Sequence, residues 1–268
     1  MKSLLPFKLE QHISKRKAVK IITGLSNFSI HSIIKIVKAA ELGQASYVDI
    51  AANPQLVAKV KSITKFPLCV SSIDPLELQD CVMKGADIIE IGNFDIFYNR
   101  KIFFSFEQIL NLTKETKDLI PDVPICVTIP HTLLLPDQIR LAILLEQIGV
   151  SIIQTEGYST KDTINSKNFS LMKSIINASS AISSTYAISR FVDIPIIASS
   201  GINSLSASAA FSYGASIVGI GSAVCNHNTI SDMAIYIHEV VCSIASTSNK
   251  SIIVPKLCNI DYTYHVTF

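Results

Sequence analysis

Apolar residues along this chain come in two rhythms. Short runs rich in Ile and Val, at KIITGL from residue 20, YVDIAA from 47, PLCVSS from 67 and IIEIGN from 88, read as buried strands. PICVTI from 124, SIIQTEG from 151, PIIASSG from 195 and SIVGIGSA from 216 continue the series to eight. Between them lie stretches of helical period, such as HSIIKIVKAAELG, DPLELQDCVMKGA, DQIRLAILLEQIG and LSASAAFSYGA. Several end in a glycine suited to a left-handed cap, and Pro67, Pro124 and Pro195 stop the chain from continuing as helix. Strand and helix alternating eight times, with strands apolar on both faces, predict an α/β fold: a single parallel (β/α)8 barrel. A doubly wound open sheet is the alternative. The barrel is expected over residues 20–246, between an N-terminal arm at 1–19 and a tail at 247–268, with the longest insertions after strands four and six.

Side-chain alternation then says what the barrel encloses. In IIEIGN, bulky Ile89 and Ile91 suit the helix-facing side, which turns Glu90 inward. The same reading turns Asp49, Gln154, Glu156, Gly219 and Gly221 inward from the other even strands. Asp49, Glu90, Gln154 and Gly219 share one predicted layer; Ala51, Gly92, Glu156 and Gly221 share the next, nearer the C-terminal mouth. Odd strands are expected to add Thr23, Ser71, Thr128 and one of Ser199 or Ser200. An interior of acids, amides and hydroxyls predicts a polar pocket, because a buried carboxylate without a partner, proton or ligand costs several kcal/mol. Its bland counterpart is a structural hydrogen-bond network. Two acids in one layer are expected to titrate apart, which suits proton transfer by Glu90 and Asp49, with Glu156 and His131 assisting at the mouth.

The last two loops add a second chemistry. Barrels of this kind often hold phosphate between the loops after strands seven and eight. Ser200 and Gly201 in one loop, and Gly221, Ser222 and Ala223 in the next, supply small residues whose amides can converge on an anion. With Thr128 and Gln154 they form the expected substrate-binding set. No lysine stands at the carboxyl end of a strand, which argues against Schiff-base chemistry.

Composition narrows the partners. Lys and Arg exceed Asp and Glu by 23 − 21 = 2, so no overall field recruits nucleic acid, and KRK at 15–17 reads as a solvated lead-in. No apolar run reaches membrane-spanning length, and membrane insertion is not expected. The six cysteines show neither CxxC nor metal-ligand spacing, so no structural metal and no disulfide framework are expected. No cofactor is required, although the paired acids are compatible with a divalent cation. A homo-oligomer is compatible with the sequence. The aromatic segment NFDIFYNRKIFFSF, 93–106, is expected either to cover the mouth as a lid or to stand on the rim as a partner surface.

The succession ITGLSNF, YVDIAANPQLV, CVSSIDP, IIEIGNFDIFY, VTIPHTL, IIQTEG, AISRFVDIPIIASSGI and GIGSAV closely resembles the Ycf23 family of algal plastids and cyanobacteria, across residues 15–245. The resemblance implies a plastid-encoded protein of the chloroplast stroma, for which a missing transit peptide is expected. It implies no reaction. Its barrel looks like the phosphate-binding barrels of thiazole, tryptophan and sugar-phosphate metabolism. The expectation is an enzyme of the isomerase, epimerase or lyase kind acting on a small phosphorylated molecule. The alternative is a non-catalytic ligand sensor or an assembly protein of a plastid complex.

Overall fold

A computed structural model describes residues 4–92, 94–157 and 170–245. Eight parallel strands close into a barrel in chain order: β1 (Ala18–Ile22), β2 (Tyr47–Ala51), β3 (Leu68–Ser72), β4 (Ile88–Ile91), β5 (Ile125–Ile129), β6 (Ile152–Thr155), β7 (Ile196–Ala198) and β8 (Ile217–Ile220). β8 pairs with β1, Gly219 opposite Lys20, and this pairing completes the ring. The helices are α1 (Phe7–Ser14), α2 (Ile30–Leu42), α3 (Pro54–Lys61), α4 (Pro75–Met83), α5 (Asp95–Tyr98), α6 (Phe106–Leu119), α7 (Leu135–Gln147), α8 (Ser170–Ile188), α9 (Ala207–Ser212), α10 (Ser222–Cys225) and α11 (Ile230–Ala245). The barrel expectation holds, and the open sheet is set aside.

Local chemistry explains the element boundaries. At the mouth, Ser29, Asn53, Asp74 and Ser105 each accept backbone N–H groups of the helix they precede, and Pro54 and Pro75 occupy first-turn positions where no N–H is needed. At the opposite end, Gly85, Gly149 and Gly214 take the left-handed φ expected of them. Gly43 does not: its φ is −76°, and Gln44 turns the chain instead at +64°. Packing explains that glycine. A Cβ on Gly43 would lie 2.6 Å from Ile237 Cβ and 2.8 Å from the Ala234 carbonyl oxygen, so α2 approaches α11 only without a side chain there.

Two apolar clusters follow from strand parity. Val19, Ile21, Val48, Ile50, Ile89, Ile91, Val127, Ile153 and Val218 face the helices. Ala18, Tyr47, Cys69, Ile88, Cys126, Ile152, Ile197 and Ile217 fill the barrel's lower half, joined by Leu9 of α1, which is fully buried. The N-terminal arm is therefore partly structural, although Lys15 and Arg16 of the basic run are exposed. Its helix α1 closes the barrel floor, the Arg16 guanidinium donates to the Phe211 carbonyl oxygen, and β1 begins at Ala18. The tail expected at 247–268 and most of the insertion after β6 lie outside the described residues. Among the described residues no helix is long and apolar enough to cross a membrane.

Candidate active site

Parity was read correctly on the even strands. It slips on β1. The inward side chains of β1 are Ala18, Lys20 and Ile22, whereas Thr23 lies past the strand end with its hydroxyl buried and unpartnered. Starting the strand at residue 20 hid the consequence: a lysine stands in the middle of the barrel.

Lys20 is fully buried and organises the predicted polar layer. Its ammonium donates to Glu90 Oε2 and, at 2.9 Å, to Gln154 Oε1, and lies 3.5 Å from Asp49 Oδ2. Glu90 Oε1 accepts from Gln154 Nε2 at 2.8 Å and from the Thr128 hydroxyl at 3.1 Å; Asp49 Oδ1 accepts from the Ser71 hydroxyl at 2.6 Å. Burial is the largest influence on Lys20 and pulls it toward the neutral amine. The Asp49 and Glu90 carboxylates together outweigh it and hold the amine well above its ordinary pKa. Lys20 is thus a cation, the wrong form for Schiff-base attack. Asp49, Cys69 and Glu90 bring their ligand atoms within 4.8 Å of one another, a grouping able to hold a metal, but the positive charge between the two carboxylates is supplied by the chain itself.

The expected pocket at this level is closed. Asp49, Glu90, Thr128 and Gln154 are each at most 2% exposed. A Cβ at Gly219 would meet Ser199 Oγ at 2.9 Å and Ile22 Cδ1 at 3.2 Å, so neighbouring side chains already occupy the glycine's space. Gly92 sits directly over the layer: a Cβ there would lie 2.2 Å from Thr128 Oγ1 and 3.0 Å from Glu90 Oε1. These residues form a linked polar network across the barrel, beneath the mouth.

One layer higher, titratable groups meet at the mouth. Glu156 follows β6, and its Oε1 accepts from the His131 backbone N–H at 2.9 Å and lies 3.0 Å from His131 Nδ1. The Tyr98 hydroxyl donates to the same oxygen. A carboxylate only accepts, so Nδ1 carries the ring proton, and in the neutral ring Nε2 is the basic atom. Tyr98 also packs edge-on against His131, ring centroids 4.8 Å apart. Sequence reasoning had Glu156 and His131 but not Tyr98. Its only signal was the aromatic segment following β4, and that segment does fold over the mouth: Phe94 is fully buried and Phe97, Tyr98 and Phe104 pack on the core, while Ile102 and Phe103 stay exposed.

The loops after β7 and β8 are neighbours, as their adjacent strands require. Ser199 is buried, whereas Ser200 and Gly201 turn the chain through consecutive positive φ values of 73° and 70°. Gly221 precedes α10, whose first residues, Ser222 and Ala223, have amides without an intrahelical acceptor. His227 lies just beyond, its ring against Tyr236. A hollow lined by Lys8, His12, Lys17, Glu41, Gln44 and Val241 lies at the floor and contains none of the expected site residues.

The fold is a (β/α)8 barrel with a buried polar layer at its centre and a second cluster of titratable groups at its C-terminal mouth. The chain belongs to the DUF561 family, described as a protein of unknown function, whose match spans residues 1–250. It is 47% identical over 249 residues to the uncharacterized protein ycf23 of Antithamnion sp., covering 91% of this chain and 89% of the relative. The ycf23 protein of Cyanophora paradoxa is 41% identical, covering 87% and 95%. Among solved structures, thiamine phosphate pyrophosphorylase from Pyrococcus furiosus superposes with a TM-score of 0.57 at 15% identity, over 87% of this chain and 98% of that one. The (S)-3-O-geranylgeranylglyceryl phosphate synthase of Thermoplasma acidophilum, in complex with sn-glycerol-1-phosphate, gives 0.59 at 12% identity, over 92% and 100%. At such identities these likenesses concern the fold.

Proposed function

We propose that this protein is an enzyme that acts on a small phosphorylated metabolite by proton transfer at the barrel mouth, as an isomerase, epimerase or lyase. The observation that carries the reading is the convergence of His131 and Tyr98 on one oxygen of Glu156. A histidine whose Nδ1 is held by a carboxylate has its tautomer and ring orientation set, the arrangement a general base requires. Glu156 stands at the end of β6, one strand from the loop after β7 and two from the loop after β8. In this reading Ser200, Gly201, Gly221, Ser222 and Ala223 hold the phosphate through backbone amides and hydroxyls, and His131 Nε2 moves the proton. Asp49 and Glu90, expected from sequence to face the substrate, are assigned the layer below with Thr128 and Gln154: tied to Lys20, they fix the floor of the site. Reaction classes of this kind suit the titrating groups present, which need no redox centre. The relatives' sources fit a plastid-encoded protein, and the stroma is where we place the reaction.

The test is a thermal-shift screen of the parent, Ser222→Asp and Glu156→Gln against phosphorylated metabolites and inorganic phosphate. A ligand at about one hundred times its Kd stabilises the fold by about 2.7 kcal/mol. The expected result is a shift that survives Glu156→Gln, is lost in Ser222→Asp, and identifies a compound the parent turns over and Glu156→Gln does not. Binding without turnover in the parent would favour the sensor reading, which the closed polar layer also fits. No shift with any phosphate, inorganic phosphate included, would remove the phosphate site.

A further inference from the structure

Three donors meet one atom at the barrel mouth. The His131 backbone N–H at 2.9 Å, the His131 ring at 3.0 Å and the Tyr98 hydroxyl all reach Oε1 of Glu156. An ionised carboxylate has about four lone-pair sites over its two oxygens, so these donors more than fill one oxygen. Among the described residues the other, Oε2, receives none. Nor is it sealed away: Glu156 is 5% exposed, and the described side-chain atoms sealed without a partner are Thr23 Oγ1 and Arg190 Nε. A carboxylate almost wholly withdrawn from water, with one oxygen saturated and the other bare, is completed by a group that brings a donor.

The sheet sets where that oxygen stands. Gln154 points into the polar layer, and Glu156, two residues on, shares its face one level higher. Ser199 N donates to Thr155 O at 3.1 Å, and the pairs Thr155 with Ala198 and Ala198 with Val218 carry the ladder on to β8. Glu156 is thus level with Ser199 and Gly219, which lie roughly 5 and roughly 10 Å across the sheet at ordinary strand spacing. Those strands lead directly into Ser200, Gly201, Gly221 and Ser222. We infer that Oε2 of Glu156 is a ligand contact, and that this mouth takes a phosphorylated compound carrying a hydrogen-bond donor, a hydroxyl or an ammonium, a short carbon chain away from the phosphate. A carboxylate oxygen accepts and does not donate, so it selects a donor over an ether, a carbonyl or a methyl at the same place. This inference rests on the phosphate-site reading above, which supplies the other end of the ligand.

Calorimetric titration of the full-length protein with inorganic phosphate, propyl phosphate, glycerol phosphate and aminoethyl phosphate tests it, in the parent and in Glu156→Ala and Glu156→Gln. In the parent, glycerol phosphate, aminoethyl phosphate or both should bind about tenfold tighter than propyl phosphate, and the tighter of the two names the donor. In Glu156→Ala that advantage should vanish while inorganic phosphate binds as in the parent. In Glu156→Gln the three donors claim the amide oxygen and turn its NH2 toward the ligand, so an ammonium should lose its advantage, whereas a hydroxyl, able to accept, keeps part of it. Equal affinity for propyl phosphate and both donor-bearing probes in the parent, or an advantage that survives Glu156→Ala, overturns the Oε2 contact and leaves the phosphate site standing. Where Glu156→Ala fails to fold, the parent comparison decides, and an ammonium advantage that persists in Glu156→Gln overturns the contact as well. Failure of all four probes to bind overturns both.

Discussion

Replacing Lys20 by Met probes the polar layer at its centre. The two side chains are similar in length, so the substitution keeps most of the packing while deleting the charge and its donors. Glu90 Oε2 and Gln154 Oε1 each lose a hydrogen bond, and Asp49 Oδ2 loses a cation 3.5 Å away. All three acceptors are at most 2% exposed, and water does not replace what is lost. Breaking a buried pair by removing one partner costs about 3–5 kcal/mol, a large share of the roughly 5–15 kcal/mol that holds a domain together. The assay is urea unfolding followed by circular dichroism at pH 7 and at pH 5. Lys20→Met should lower the unfolding free energy by that amount at pH 7, read as a fall in the urea midpoint. The deficit should shrink at pH 5, because carboxylates buried without a cation favour the protonated form, and the variant's folded state then binds more protons than its unfolded state. Adding Glu90→Gln to Lys20→Met should recover part of the loss. A Lys20→Met deficit below about 1 kcal/mol, or one equal at both pH values, would refute the view that Lys20 balances this layer. In the parent the linkage has the same sign but falls in an alkaline window. The raised pKa of Lys20 gives stability that is full below the ordinary lysine value and is lost only as pH rises through the higher folded-state value.

Gly92→Ala places a methyl 2.2 Å from Thr128 Oγ1 and should cost about 1–3 kcal/mol of overpacking, measurable as a lowered unfolding midpoint that Thr128→Ala relieves in part. His12, half-buried with its Nδ1 2.7 Å from Ser46 Oγ, has its pKa lowered from 6.5 by burial and then by Lys17, Lys8 and Lys15. Its contribution is therefore full above about pH 6.5 and declines as pH falls below, so the parent should lose more stability than His12→Asn between pH 7 and pH 5 in a melting series. Glu156→Gln should leave phosphate binding intact and abolish turnover, read by titration and by product formation.

Strand order, the closed barrel and the inward set of the even strands were legible because alternation leaves little choice when bulky Ile and Val share one face. β1 was misread for a definite reason. In AVKII both faces are apolar apart from one lysine, and beginning the run at that lysine rather than at Ala18 left the parity to be set by Thr23. A physical signal was present: two acids turned into one layer call for a cation, and Lys20 was the lysine inside a strand run. The closure of the layer was not legible, since it depends on Ile22 and Ser199 meeting over Gly219 across three strands. Nor was the contact of Tyr98 with Glu156, residues 58 apart in the chain, which depends on how the strap folds. Gly43 carried a misleading signal: its position after α2 suggested a backbone role, whereas a neighbouring helix excludes its side chain.

Leu9 gives the barrel a bottom. With the floor plugged by α1 and the Lys20 network drawn across the middle, the barrel is a vessel with one opening, and traffic runs through the same doorway beside the aromatic strap. Under the function proposed above, reactant and product share that opening, so entry waits on departure and the pace at which the doorway clears sets an upper bound on turnover.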